Sequence, residues 1–367
     1  MKAMRLNDII NELAVWAPPS LQESYDNAGL IVGHPTMEIT QAIVCLDSTE
    51  EVVDEAIAQG ANLIIAHHPI VFKGLKRFNG NTYIERVIAK AIKHDVAIYA
   101  IHTNLDNVKH GVNAKIAALL GVTQHDILAP LNNQLLKLKV FVPVNKVNEL
   151  ADALFEVGAG EIGNYSHCSY RIQGKGTFKA NNQAKPYVGN KEEIHVEEET
   201  KLEVIVPKFL QRRVEQQLYA HHPYEEPAFD WIALQNNTPY GAGIIGDLAS
   251  PMEVDEFLRK VKAIFKAQSI RYTKPVKSEV NRIAVCGGSG SFLLPAAIRQ
   301  GADVLLTADF KYHQFFDAED QLIICDIGHY ESEQFTIDLI CEFLSKKFPT
   351  FAVRSTKVNT NPINYFN

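Results

Sequence analysis

The hydrophobic positions of this chain fall into short continuous runs separated by helix-length segments. Residues 42–46 and 61–66 are largely apolar, which is typical of strands buried on both faces of a sheet. The segment between them reads as a helix that ends at Gly60, where a C-cap requires a positive φ. This alternation of strand and helix predicts an α/β fold.

The strand–helix–strand pattern occurs twice. Residues 42–69 align without a gap with residues 283–310, and the aligned pairs include Gly60 with Gly301. A looser likeness relates 95–106 to 321–333, since each is an apolar run leading into a polar, histidine-bearing turn. We therefore predict two related α/β halves packed about a pseudo-twofold axis.

A stretch of different rhythm separates the two copies. Residues 132–238 read as a strand, a helix, two short strands at 167–174 and 174–180, a polar loop at 181–200, and then a strand, a helix and a strand. This order is close to βαββαβ, the ferredoxin-like arrangement. We predict that residues 1–131 and 239–367 are pseudo-symmetric halves of one α/β domain, and that 132–238 form an inserted α+β domain.

Candidate metal ligands follow the predicted strands of the first copy. His67 and His68 come directly after residues 61–66, and the next buried strand leads into His102 and Asp106. Open α/β sheets place their sites at the carboxyl ends of strands, so these side chains are expected near one another. The alternative is a surface turn with solvated histidines.

The second copy offers His329 and Glu333, which are spaced i,i+4 and would share one face of a helix. The combined set contains imidazoles and carboxylates but no thiolate, which suits Zn²⁺, with Mn²⁺ or Fe²⁺ as alternatives. Five ligands exceed what one catalytic zinc needs, so a two-metal centre with ions ~3.5–4 Å apart is favoured. The set is His67, His68, Asp106, His329 and Glu333.

These motifs resemble one known family. "DNAGLIVG", "AHHPIVFKGLKR", "HTNLDNV", "CGGSG" and "DIGHYESE" occur in the order found in the GTP cyclohydrolase I type 2 homologues, also called Ngg-interacting-factor-three-like dinuclear metal proteins. The resemblance implies that the five residues above are the metal ligands and that the chain forms a homohexameric ring. Residues 132–238 resemble the PII/CutA-like domain of longer bacterial members, which implies trimeric contacts through that domain.

Several further residues are candidates for catalysis or substrate binding. His102 is predicted to shuttle protons or to orient Asp106, and the alternatives are a further metal ligand or a packed histidine. The repeat aligns His68 with Asp309, which could then face the metals with His313 nearby, or could instead cap the next helix. Three cations after the histidine pair could steer an anionic substrate, unless they only solvate a loop: Lys73, Lys76 and Arg77.

Two other motifs are weaker candidates. "GGSGS" at residues 287–291 could cradle a phosphate with its backbone N–H groups, although a tight strand-to-helix turn is the favoured interpretation. His221 and His222 follow a predicted helix and have no partner ligands at useful spacing. We expect them to interact with helix C-terminal carbonyls rather than with a metal.

Composition and charge narrow the function classes. The net charge of −7 and the lack of a basic stretch argue against nucleic acid as a partner. The five cysteines are scattered without a CxxC pair, which predicts a reducing, cytoplasmic location without a disulfide framework. The apolar runs fall short of membrane length.

The expected function is metal-dependent hydrolysis of an anionic, phosphorylated small molecule or nucleotide. GTP cyclohydrolase-type activity is implied by the resemblance alone. The alternative is a non-catalytic metal-binding or regulatory protein in which the inserted domain senses a ligand.

Overall fold

The computed structural model describes residues 4–366 of the 367-residue chain. The helices are α1 (Leu6–Trp16), α2 (Glu50–Gln59), α3 (Tyr83–Lys93), α4 (Thr103–Asp106), α5 (Val112–Leu120), α6 (Val147–Glu156), α7 (Gln211–His221), α8 (Val254–Phe265), α9 (Leu294–Arg299), α10 (His329–Glu333) and α11 (Thr336–Lys347). The strands are β1 (Met4–Arg5), β2 (Gly29–Val32), β3 (Glu38–Ile39), β4 (Gln41–Cys45), β5 (Leu63–Ala66), β6 (Ala97–Ala100), β7 (Val122–Pro130), β8 (Leu135–Pro143), β9 (Ser169–Lys179), β10 (Ile194–Pro207), β11 (Phe229–Leu234), β12 (Gly241–Glu253), β13 (Arg271–Tyr272), β14 (Glu279–Ser289), β15 (Val304–Ala308), β16 (Ile323–Asp326) and β17 (Ala352–Ser355). The chain divides into two compact units, Met1–Pro130 with Pro239–Asn367, and Leu131–Thr238.

The first unit contains a five-stranded sheet in the order β17-β4-β5-β6-β2. β4, β5 and β6 are parallel, and every residue of β5 and β6 is buried. α2 and α3 contribute their apolar faces to the same core, for example Val53 and Val87. The continuous apolar runs therefore form central strands, as the hydrophobic pattern predicts, because both faces of the sheet are covered.

A second sheet in this unit has the order β13-β16-β15-β14-β12-β7. β14, β15 and β16 are parallel, like β4, β5 and β6, which confirms the α/β character of both sequence copies. Each sheet takes one edge strand from the other half of the chain. β17, from the second half, pairs with β4, and β7, from the first half, pairs with β12. The sequence repeat does not show this exchange, since it lies outside the aligned segments.

The second unit contains a four-stranded antiparallel sheet in the order β11-β8-β10-β9. Its element order is strand, helix, strand, strand, helix, strand, and α6 and α7 pack on the core of the sheet. Two details differ from the sequence expectation. Residues 169–179 form the single strand β9 rather than two strands. The predicted polar loop is shorter than expected, because β10 already begins at Ile194 and its first, alternately exposed residues pair with β9.

Among the described residues, no helix is long and apolar enough to cross a membrane.

Candidate metal centre

The first histidine pair continues a buried strand. β5 ends at Ala66, and the backbone N–H groups of His67 and His68 donate to Cys45 O (3.1 Å) and Leu46 O (2.9 Å). His67 is fully buried, whereas the side chain of His68 keeps 17% of its surface exposed. The pair therefore has a well-held backbone, and its two imidazoles differ in their access to solvent.

The carboxylate of Glu333 lies between two groups of donor atoms. Its Oε2 is 2.9 Å from His68 Nε2 and 3.0 Å from His329 Nε2. Its Oε1 is 3.7 Å from His67 Nε2, which is in turn 3.8 Å from Asp106 Oδ1. Because α10 begins at His329 and ends at Glu333, both ligands from this helix face the cluster, as the i,i+4 spacing predicts.

The buried side of this cluster has polar atoms without partners. His67 Nε2 and Asp106 Oδ1 are both inaccessible to solvent and make no hydrogen bond. Such atoms are rare in folded proteins and require a partner, because their desolvation is otherwise uncompensated. An imidazole nitrogen and a carboxylate oxygen that face each other fit a divalent cation.

The histidines of the cluster share one pattern of outer hydrogen bonding. In each ring Nδ1 is bonded to an acceptor, which leaves Nε2 directed at the other donor atoms. This arrangement fixes the tautomer and the orientation of a metal-binding imidazole. The pairs are His67 with Ile101 O (2.9 Å), His68 with Asp47 (2.8 Å), His102 with Asp26 (2.8 Å) and His329 with Asp309 (2.7 Å).

The metal-free cluster holds protons where cations would bind. Burial opposes protonation of His68 and His329, yet Glu333 and the outer carboxylates raise the pKa of His68 to about 10 and that of His329 to about 11. Burial alone would raise the pKa of Glu333, but the charge of His68 and the histidine hydrogen bonds hold it well below its ordinary value. Both imidazoles are therefore expected to be protonated near neutral pH when no cation is bound.

On the buried side of the cluster, desolvation favours the neutral forms of His67 and Asp106. Desolvation lowers the pKa of the fully buried His67, so its imidazole stays neutral and can act as a ligand. Desolvation and the nearby charge of Glu333 raise the pKa of Asp106 well above its ordinary value. A carboxyl group in this environment needs a cation before it ionises readily.

His102 belongs to the same cluster. Its donor atom lies within 4.8 Å of those of His67 and His68, and Asp26 holds its Nδ1. Asp26 also accepts a hydrogen bond from the backbone N–H of Thr103 at 3.1 Å, which anchors the carboxylate. The arrangement places His102 Nε2 beside the candidate ligands, and Asp26 rather than Asp106 is the carboxylate that it contacts.

The cluster opens into a cleft of about 830 Å³. His68, His102, Asp106, His329 and Glu333 all line it. Its walls carry aromatic side chains that are largely exposed, which are Tyr25, Phe72, Tyr83 and Phe292. A cleft of this size, with polar ligands at its base and apolar walls, has the properties of a small-molecule site.

Of the residues predicted to bind substrate, Lys73 lines the cleft and the others do not. Lys73 is the one lysine or arginine among the described residues that line the cleft, and Lys76 and Arg77 lie outside the lining. Asp309 contacts Nδ1 of His329, so it lies behind a ligand and away from the ligand atoms. His313 is exposed on the 3-10 helix Tyr312–Ala318 and does not line the cleft.

Two carboxylates behind the candidate ligands, Asp47 and Asp26, were missed by the sequence interpretation. Asp47 is the second residue after β4 just as His68 is the second residue after β5, so the adjacent parallel strand ends were a usable signal. Asp26 lies outside the repeat, but it is the first residue of the "DNAGLIVG" motif, which was the signal that could have identified it.

The "GGSGS" segment serves packing rather than phosphate binding. Gly287 N donates to Asn113 Oδ1 and Gly288 N donates to Ser332 Oγ, both at 2.9 Å, so these N–H groups are already used. Gly288 has a φ of +62°, and a Cβ placed on it would overlap Glu333 Oε1. The glycine allows the backbone to approach the carboxylate of the candidate ligand Glu333 closely.

The second histidine pair, in the other unit, is engaged by backbone. His221 Nδ1 bonds to Gln217 O (3.0 Å) one helical turn earlier, as expected for a histidine at a helix C-terminus. His222 Nε2 bonds to Phe141 O (2.8 Å), and its Nδ1 accepts from Tyr224 N (3.1 Å). With both ring nitrogens occupied, His222 has no free atom for a metal.

Comparisons with known proteins agree over the whole chain. The profile of the Duf34/NIF3 (NGG1p interacting factor 3) family matches residues 4–362. Proteins named GTP cyclohydrolase 1 type 2 homolog are 39% identical in Halalkalibacterium halodurans, over 100% of both chains, and 34% identical in Staphylococcus aureus, over 99% of this chain and 100% of the relative. A crystal structure of a Bacillus cereus protein related to NIF3 has a TM-score of 0.86, with 35% identity and 100% coverage of both chains.

Proposed function

The chain belongs to the Duf34/NIF3 family, and on that premise we propose that it is a hydrolase that uses two divalent metal ions, with zinc favoured over manganese or iron. The observation that carries the proposal is the position of Glu333, whose two oxygens face two separate groups of donors. Bound ions of this kind lower the pKa of a coordinated water and polarise the substrate.

The donor groups define two inequivalent positions. His67, Asp106 and Glu333 Oε1 would hold one ion at the buried position. His68, His329 and Glu333 Oε2 would hold the other at the exposed position, since the side chains of His68 and His329 are 17% and 37% exposed. The exposed position lies on the cleft side, where a substrate would arrive.

His102 is the residue best placed to move a proton. Asp26 keeps Nδ1 of the ring engaged, so Nε2 is the atom available to accept a proton from, or return it to, the reacting groups in the cleft. This role fits the sequence-based prediction of a proton shuttle.

The proposed substrate is an anionic, phosphorylated small molecule. The aromatic walls can pack against its apolar portion, and Lys73 is the cation positioned to attract its charge. GTP belongs to this class of substrates, and GTP cyclohydrolase-type chemistry is suggested by the names of the relatives.

The three predicted cations are expected to differ in their effect on substrate binding. Replacement of Lys73 by methionine should raise KM for an anionic substrate roughly two- to fivefold, as for loss of one exposed charge interaction. Lys76→Met is the matched control and should leave KM unchanged. Steady-state kinetics at low ionic strength measure both, and an equal effect of the two variants would contradict a specific role for Lys73.

Zinc binding is expected to release protons. His68 and His329 must lose their protons to coordinate, so the zinc affinity should rise with pH by up to about two log units per pH unit, between about pH 7 and pH 10. Calorimetric titration in two buffers with different protonation enthalpies counts the released protons. Zinc affinity that does not change with pH would contradict the assignment of these imidazoles.

The same groups set the expected pH dependence of the metal-free protein. A histidine pKa raised in the folded state stabilises the fold below the unfolded pKa, and this contribution is lost as pH rises through about 10 and 11. The metal-free protein should therefore lose stability from neutral toward alkaline pH.

The proposed function is tested by metal analysis combined with turnover assays. Purified protein is measured for bound metal and then assayed against nucleotides and phosphoesters, with and without a chelator. Turnover that disappears with the chelator and returns with zinc supports the hydrolase. Full metal occupancy without turnover of any compound would favour the non-catalytic, regulatory alternative.

A further inference from the structure

The segment that follows β17 is anchored to the first sheet. β17 pairs in parallel with β4, and Thr356 N continues this pairing by donating to Val44 O (2.9 Å). Lys357 N donates to Glu55 Oε1 (3.0 Å), and Val358 packs against the core of the first sheet. Residues 356–358 therefore hold a defined path into the cleft, where Asn361, Pro362 and Ile363 form part of the lining.

This segment contacts the carboxylate behind one candidate ligand. Thr360 Oγ1 donates to Asp47 Oδ2 at 2.8 Å, and the other oxygen of Asp47 is bonded to His68 Nδ1, also at 2.8 Å. The side chain of Asp47 is 39% exposed, so burial alone does not hold it. The hydroxyl of Thr360 thus restricts the rotation of the carboxylate that orients His68.

The neighbouring residue contacts the other sequence copy. Asn361 Nδ2 donates to Glu331 Oε1 at 3.2 Å, and Glu331 lies on α10 between the ligands His329 and Glu333. Asn361 Oδ1 accepts from Ile363 N (3.0 Å), which holds the amide in a turn. Adjacent residues of one segment therefore contact the supports of His68 and of α10.

We infer that residues 356–363 form a clamp for the exposed metal position, with Thr360 as a positioning residue that acts on His68 through Asp47. The inference rests on the proposed metal centre. The clamp spans the two sequence copies because the exposed position takes His68 from one copy and His329 from the other. At the buried position, His67 Nδ1 bonds to Ile101 O, and His67 Nε2 and Asp106 Oδ1 make no hydrogen bond, so the buried position serves as an internal reference.

A merely structural role for the segment predicts something different. Loss of packing would lower stability and would affect both metal positions alike. Loss of the Thr360 hydroxyl should instead weaken metal binding only at the exposed position, because the hydroxyl holds Asp47 and Asp47 in turn orients His68. Thr360→Val keeps the shape and removes the hydrogen bond, whereas Thr360→Ser keeps the hydroxyl.

The test is a zinc titration of the full chain against a competing chromophoric chelator. Wild type, Thr360→Val and Thr360→Ser are compared, and the tighter and weaker binding steps are resolved. We expect Thr360→Val to weaken one of the two steps about tenfold and to leave the other unchanged, with Thr360→Ser close to wild type. Hydrogen exchange of residues 356–366 is measured in parallel on the metal-free proteins.

The outcomes separate the clamp from the metal centre itself. Equal zinc affinities in the three proteins, or equal weakening of both steps in Thr360→Val, would overturn the clamp. If wild type binds no zinc, the proposed function fails and hydrogen exchange decides the clamp. Faster exchange in Thr360→Val alone then supports the clamp, and equal exchange in all three proteins overturns it.

Discussion

Glu333→Gln is expected to remove both metal ions and to abolish turnover. The amide keeps the size of the side chain, but it cannot supply two anionic oxygens to the groups around His67 and His68. Losing metal-based stabilisation of several kcal/mol corresponds to a fall in rate of roughly 10³-fold or more. Metal content of the purified variant and kcat/KM measured with added zinc test this directly.

The matched control for this variant is Glu331→Gln. Glu331 lies on the same helix and is 5% exposed, but it contacts Asn361 rather than the metal-ligating atoms. A glutamine at this position can still accept the hydrogen bond from Asn361, so both ions should be retained. Two zinc ions bound by Glu333→Gln with wild-type affinity would refute the bridging role of Glu333.

Gly288→Ala is expected to disable the metal centre although residue 288 supplies no ligand. The new Cβ would overlap Glu333 Oε1 and would come within 3.1 Å of both Glu333 Cδ and His329 Cε1. The added Cβ is fixed to the backbone of β14, and Glu333 lies on the buried helix α10. The carboxylate of Glu333 must therefore move. Such displacement of a ligand should cost at least about 10- to 100-fold in metal affinity, the range found for disturbed metal-site support.

Backbone strain must be separated from this steric effect, and Gly301→Ala provides the control. Gly301 has a φ of +68°, close to the +62° of Gly288, but a Cβ there has no atom within 4 Å. Both variants therefore pay a similar strain of about 1 kcal/mol, visible as a lower Tm. If the two variants lost stability equally and both bound zinc normally, the proposed contact with Glu333 would be wrong.

The candidate ligands could be selected from the sequence for a local reason. A buried parallel strand is a continuous apolar run, so the polar residues that follow it mark the carboxyl edge of the sheet. His67, His68 and Asp106 follow such runs, and the i,i+4 spacing of His329 and Glu333 anticipates α10.

The partners of those ligands depend on contacts between distant segments. Asp309 was expected beside the metals because it aligns with His68, but the structure places it on Nδ1 of His329. Alignment predicts a position at a strand end and carries no information about side-chain direction. Thr360 had no signal at all, since its role depends on β17 joining the sheet of the other copy.

Sequence by itself determined the α/β class, the internal repeat and the identity of the residues that can bind metal, because these follow from periodicity, spacing and side-chain chemistry along short segments. Tertiary structure alone decided that Glu333 lies between two donor groups, that Gly288 must lack a Cβ, and that Thr360 supports His68 through Asp47. The physical reason is that each of these depends on distances between segments far apart in the chain, which are set by strand pairing and packing and are not encoded in any local pattern.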